Sequence, residues 1–151
     1  MEIKIRVAEE KDFARILELI HELAVFENQT DQLVNSADRM MAEKEFFNCY
    51  VAETPEGKIV GYATHIFCYY TWVGKSLYMD DLYVLPEYRG KGIGNLLIKK
   101  VIDYARETKC HRLRWQVSNW NAKAIVFYKS LGAVINETEQ NCDLSFKTNM
   151  P

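Results

Sequence analysis

At 151 residues, with 48% hydrophobic and 26% charged side chains, the chain has the composition of an ordinary globular protein. That excludes a disordered or membrane class and predicts a single domain over residues 1–151. Nineteen basic against 21 acidic residues leave a formal net charge of -2, which argues against nucleic acid as a partner, since phosphate backbones are gripped by a surplus of Lys and Arg.

The four cysteines, Cys49, Cys68, Cys110 and Cys142, form no C-x-x-C pair, and the N-terminal MEIKIRVAEEKD carries no apolar signal core. A reduced, cytoplasmic protein with no membrane attachment is expected. His21, His65 and His111 lack metal-ligand spacing, so no metal is expected.

Along the chain, Ile3, Ile5 and Val7 alternate with polar neighbours, the pattern of a half-buried strand. Phe13, Ile16, Leu17, Ile20, Leu23 and Ala24 then recur at helical spacing, predicting an amphipathic helix from Asp12 to about Phe26. Ser36 reads as the cap of a second, shorter helix through Met40, Met41 and Lys44. Two β-rich runs, 47–53 and 58–71, flank Thr54-Pro55-Glu56-Gly57, whose Pro and Gly form turns, and so predict an antiparallel hairpin. A break at 72–75 precedes a strand over 76–85, which Pro86 ends because it lacks a backbone donor. From Gly92 onward, Leu96, Leu97, Val101, Ile102 and Ala105 share one face of a helix. A strand over 112–117, a helix over 121–130 closed by Leu131-Gly132, and a final strand pair, 133–138 with 143–147, complete the order. The prediction is an α/β (α+β) fold: one mixed, largely antiparallel sheet flanked by about four helices.

The strongest chemical signal is Tyr88-Arg89-Gly90-Lys91-Gly92-Ile93-Gly94, set between a strand and an amphipathic helix. Glycines let the backbone approach a ligand with no Cβ in the way, and unpaired amides at a helix N-terminus attract an anion. A phosphate or pyrophosphate is the natural guest, and Arg89 adds a charge-assisted donor. The loop is not the dinucleotide fingerprint, which needs an acid about 20 residues later, and it is not G-x-x-x-x-G-K-[ST]. A plain strand-to-helix turn would use the same glycines.

The run from Tyr78 to Gly94 resembles the strand and pyrophosphate loop of the GNAT superfamily of acetyltransferases, whose signature R/Q-x-x-G-x-G/A is filled by Arg89, Gly92 and Gly94. Trp120-Asn121, Phe127-Tyr128-Lys129 and Leu131-Gly132-Ala133 are similar to the last motif of that family. Glu22 to Glu27, Asp31-Gln32 and Trp72 to Tyr78 extend the resemblance to the diamine (spermidine/spermine) and thialysine N-acetyltransferases.

The resemblance implies acetyl-CoA as co-substrate, a primary amine of a small molecule as acceptor, and a homodimer. It implies cofactor contacts from the strand backbone at Leu82, Tyr83 and Val84, and from the loop at Arg89, Gly90, Lys91, Gly92, Ile93, Gly94 and Asn95. Further contacts would come from Asn121, Lys123, Ala124 and Tyr128. The acceptor side would comprise Phe26, Glu27, Trp72, Asp80, Asp81, Arg114, Trp115 and Gln116. Asp80 stands where the subgroup has its catalytic Glu, one methylene shorter, and Gln140 stands where it has a further acid.

Thioester aminolysis needs a deprotonated amine, a cradle for the oxyanion and a proton for the departing thiolate. Asp80 is expected to handle the amine proton and Tyr128, as a phenol, to donate to sulfur. Asp80 and Asp81 are adjacent on a strand, which predicts opposite faces and leaves open which of them does the proton work. Other amines, a catalytically silent coenzyme-A-binding module and an ATP-binding protein remain as alternatives at this level.

Overall fold

The computed structural model describes residues 2–146, which form two compact units, 2–115 and 116–146. The first unit holds β1 (Lys4–Val7), α1 (Phe13–Phe26), α2 (Ala37–Ala42), β2 (Asn48–Glu53), β3 (Ile59–Tyr70), β4 (Gly74–Val84), α3 (Ile93–Glu107) and β5 (Arg112–Trp115). The second holds α4 (Ala122–Ser130). The sheet runs β1-β2-β3-β4-β5, antiparallel throughout except for the parallel β4–β5 pair, which α3 connects. The mixed, largely antiparallel sheet with four α-helices is the predicted class.

Periodicity explains the helices. α1 buries Phe13, Ile16 and Leu19, and α3 buries Ile93, Leu97, Ile98, Val101 and Ala105. Apart from Ala105, each such side chain removed from water contributes about 1.5–3 kcal/mol before entropy is counted. Ser36 caps α2 by accepting from the Arg39 N–H at 3.0 Å. Gly61 permits the closest approach: a Cβ there would lie 2.9 Å from Tyr83 O and 3.2 Å from Leu97 Cδ1, so any larger residue would force the β4 backbone at Tyr83 away from β3. Arg6 ties the N-terminal strand down, donating to both oxygens of Asp12 at 2.7 and 3.1 Å and to Glu53 at 2.9 Å.

The predicted strand pair at the end is a correction. Residues 133–146 carry neither strand nor helix, and Lys147 lies outside the described residues. Val134, Leu144 and Phe146 are exposed, so the alternating apolar pattern finds no partner strand among the described residues. Asn136 also competes locally: its Oδ1 accepts from both the N–H and the hydroxyl of Thr138, bending the run where a ladder would need it straight. Among the described residues no helix is long and apolar enough to cross a membrane.

His65 on β3 is buried between the Tyr50 and Tyr104 rings, at 5.1 and 5.2 Å, and its Nδ1 has no hydrogen-bond partner among the described residues. Burial pulls its pKa down to about 4. Between pH 6.5 and 4 the unfolded chain therefore binds a proton that the folded chain refuses, and stability falls as the pH drops, by up to roughly 3 kcal/mol. His65→Phe should flatten this acid loss, read as a smaller difference between urea midpoints at pH 7 and pH 4.5 than in the parent protein.

Candidate active site

The register of β4 departs from simple alternation at the acidic pair. Thr64 pairs with Asp81 but His65 pairs with Met79, so Asp80 is the extra residue of a β-bulge. The simple alternation behind the expectation that Asp80 and Asp81 point to opposite faces is therefore interrupted at this pair, and the Asp80 charge acts on Asp81. Asp80 is exposed as a residue, yet partial loss of water around its carboxyl raises its pKa. Asp81 is more deeply placed. Burial first, then the charge of Asp80 and that of Glu27, push it up to about 7, against the pull of hydrogen bonds from Tyr62 and Thr64.

The groups around Asp81 come from three strands. The Tyr62 hydroxyl donates to Asp81 Oδ2 at 3.2 Å, the Asp81 N–H donates to Thr64 Oγ1 at 3.1 Å, and the buried Cys49 thiol is raised by burial and by the Asp81 charge. Sequence reading singled out neither Tyr62 nor Thr64. Their spacing puts residues 62 and 64 on one face of β3, but only the hairpin register sets them opposite Tyr83 and Asp81.

One edge of β4 opens just beyond this point. The parallel ladder with β5 ends at Met79–Trp115, while β4 keeps pairing with β3 to Val84. The β5-side backbone groups along Leu82, Tyr83 and Val84 therefore lie past the ladder. Two residues beyond Pro86–Tyr88, the glycine loop turns into α3 with Gly90 at φ +75° and Gly92 at φ +83°. Neither position crowds the protein, since a Cβ at either would meet nothing within 4 Å. Gly92 is the helix N-cap and has no side chain to bond the first turn, and the first intrahelical bond is Leu96 N–H to Gly92 O. The amides of Ile93, Gly94 and Asn95 thus face outward at the positive end of a 15-residue helix.

Arg89 joins the loop to the acceptor-side residues. Its Nε donates to Val84 O at 2.8 Å, and its guanidinium carbon lies 5.3 Å from both the Phe26 and the Tyr83 ring centres. Lys91 extends over Tyr88 at 5.4 Å.

The other predicted residues divide between places. Trp115 is brought beside Met79, next to the acidic pair, and Arg114 stacks 4.5 Å over Tyr70. Trp72 is 95% exposed in the β3–β4 turn, and the nine residues from it to Asp81 span roughly 30 Å of strand, so within this unit it is not brought to the carboxyls. In the second unit, Gln116 donates to Asn141 Oδ1 at 2.9 Å. Asn121 caps α4 by accepting from the Ala124 N–H at 3.2 Å, Lys123 is exposed, and Tyr128 is buried beside Phe127 at 5.5 Å. Among the described residues no group of three His, Cys, Asp or Glu side chains is placed to hold a metal.

The profile of the acetyltransferase (GNAT) family matches residues 11–133. This chain belongs to the GNAT acetyltransferase family. It is 44% identical over 142 residues to thialysine N-epsilon-acetyltransferase of Sus scrofa, covering 87% of this chain and 84% of that one. It is 37% identical to spermidine/spermine N(1)-acetyltransferase-like protein 1 of Homo sapiens, covering 93% of this chain and 22% of that one. Among solved structures, an acetyltransferase of Trypanosoma brucei superposes with a TM-score of 0.74 at 27% identity, covering 95% of this chain and 100% of that one. GNAT acetyltransferases use acetyl-CoA, and the uncapped α3 amides beneath open space suit the pyrophosphate of such a ligand.

A comparison of strained glycines separates ligand contact from turn geometry. Gly57, in the β2–β3 turn, also has a positive φ, +87°, and open space. Alanine at Gly57, Gly90 or Gly92 should cost about 1–2 kcal/mol of stability through the left-handed backbone. Only Gly90→Ala and Gly92→Ala should weaken coenzyme A binding, by about tenfold or more in calorimetry. Equal losses at Gly57 would remove the loop from the ligand site.

Proposed function

We propose that this acetyltransferase moves the acetyl group of acetyl-CoA onto a primary amine of a small diamine, polyamine or thialysine-like molecule, with Asp81 accepting the amine proton. The observation that carries the reading is a deeply placed carboxyl poised near neutral pH beside two further acids, Asp80 and Glu27. Such a cluster attracts an alkylammonium ion and then takes its proton. The names of the relatives point to the same class of acceptor.

When bound, acetyl-CoA supplies an acyl group activated as a thioester. The amides of Ile93 to Asn95 and the Arg89 guanidinium would hold its pyrophosphate, and the β4 backbone at Leu82 to Val84 would hold the pantetheine arm and the carbonyl oxygen. Asp80, on the exposed side of the bulge, would bind the incoming cation. Asp81 would take one proton from the bound ammonium, freeing the lone pair that attacks the acyl carbon, and the second nitrogen proton, released as the C–N bond forms, would leave through water, which also restores the proton that Tyr128 gives to sulfur. Tyr128 would donate to the sulfur as the C–S bond breaks, with Asn121 supporting the helix that carries it. Four free cysteines support a reducing, cytoplasmic setting, and the family resemblance supports a homodimer, which sedimentation velocity would measure.

Thiol release from acetyl-CoA, followed with thialysine, lysine, putrescine, spermidine and spermine, tests the assignment. Asp81 must be ionised to accept a proton, so kcat/KM should fall as the pH drops below about 7, approaching tenfold per unit. Asp81→Asn and Tyr128→Phe should each lower kcat by about tenfold or more, and Asp81→Asn should also abolish the acid limb, whereas Asp80→Asn should chiefly raise KM. Turnover with none of these amines would overturn the acceptor class, and an unchanged acid limb in Asp81→Asn would overturn the role of that residue.

A further inference from the structure

Tyr62 lies on the central strand with no solvent exposure, its ring 6.4 Å from that of Tyr83 and its hydroxyl on Asp81 Oδ2 at 3.2 Å. A fully buried phenol needs a partner, and a main-chain carbonyl would satisfy it. Its partner here is instead the acid at the bulge. Thr64, two residues along the same face, accepts from the Asp81 N–H at 3.1 Å, so both the carboxyl and the backbone of one residue are held by hydroxyls from β3.

We propose that Tyr62 is a positioning residue for acetyl transfer, its buried phenol fixing the Asp81 carboxyl while Thr64 braces the Asp81 backbone at the bulge. The inference rests on the reading of Asp81 as proton acceptor. A bulge loosens a strand locally, and an unrestrained carboxyl there would swing among rotamers. The hydroxyl removes that freedom and commits Oδ2 to an internal donor. Burial and the Asp81 charge hold the Tyr62 phenol well above the ordinary tyrosine range, so it remains a neutral donor throughout the working pH range.

The same bond favours the ionised carboxylate. Asp80 and Tyr78 on β4, Cys49 on β2 and Glu27 after α1 surround Asp81 with groups that are acidic or neutral, and the charges of Asp80 and Glu27 oppose its ionisation. Donation from Tyr62 is the first of the influences that pull the other way, with Thr64 following. Without it Asp81 would stay protonated, and unable to accept, further into the neutral range.

The test uses Tyr62→Phe, which keeps the ring and removes the donor, with Thr64→Val as a second variant. The Asp81 carboxyl is followed by carbon-13 NMR, assigned by its disappearance in Asp81→Asn, alongside the pH profile of kcat/KM. Tyr62→Phe should move both the titration midpoint and the acid limb upward together, by about one unit, and Thr64→Val should move them the same way by less. In the Asp81→Asn background, Tyr62→Phe should cause no further loss of rate. A titration midpoint left in place by Tyr62→Phe would overturn the proposal while leaving Asp81 as acceptor intact. A midpoint that shifts while the acid limb stays put would overturn both the positioning role and the acceptor role. A folded Tyr62→Phe protein that loses rate equally at all pH values would mark Tyr62 as a packing residue only.

Discussion

A half-buried carboxyl at a bulge in the central hairpin, with its pKa raised by its surroundings, is the constraint around which the candidate site is arranged. An ionised Asp in that position is opposed by burial and by two neighbouring acids, and is kept within reach of neutrality only by hydroxyls from the adjoining strand. The balance needs β3 and β4 to hold their register on both sides of Asp80. The fully buried Val60, Tyr62 and Ala63 on β3, and Leu77 and Met79 on β4, secure it by packing. A bulge between such well-packed segments re-aims one acid without unpicking the sheet.

The features proposed to meet acetyl-CoA follow from the same strand. β4 pairs with β5 only as far as Met79, then runs on along β3 to Val84, turns through Pro86 and enters α3 at the glycine loop. One continuous segment thus supplies the acid, the open strand edge and the uncapped helix terminus in chain order. Gly61 matters here because it lets β3 close on Tyr83 O of β4 and on Leu97 of α3 at once. Arg89, bonded to Val84 O and set between Phe26 and Tyr83, then links the loop to the end of α1, where Glu27 contributes to the field at Asp81.

Much of this was legible in the sequence, for identifiable reasons. The helical spacing of Phe13 to Ala24 and of Leu96 to Ala105, the Ser36 cap and the Pro-Gly turn at 54–57 are local signals, and the structure follows them. The glycine loop was legible because positive φ leaves a compositional mark. The bulge at Asp80 leaves none: nothing in Tyr-Met-Asp-Asp-Leu-Tyr says that one residue drops out of the ladder, and strict alternation sent the two acids to opposite faces. Tyr62 and Thr64 were missed for the same reason, because their partner is fixed by a cross-strand register that local pattern does not encode. The final strands failed differently. Val134, Leu144 and Phe146 alternate well enough, but a strand exists only by pairing, and Asn136 spends its hydrogen bonds on a local turn.

The acid proposed to serve the chemistry works against the fold. A carboxyl whose pKa rises from 3.8 to about 7 on folding binds a proton in the native state that the unfolded chain has already lost. Its effect on stability is therefore neutral below about pH 4 and grows unfavourable as pH climbs to 7, reaching a few kcal/mol. His65, on the next β3 residue after Thr64, has the opposite dependence, since its depressed pKa penalises the folded state as pH falls below 6.5. Between them the two groups narrow the pH range in which this sheet is most stable. The sheet carries both because its apolar packing elsewhere, and the Arg6 link among β1, Asp12 and β2, supply stability independently of the acid pair. Placing Tyr62 on Asp81 limits the penalty from the carboxylate without eliminating it, and the residual penalty would keep the carboxyl basic enough for the proton transfer proposed for it.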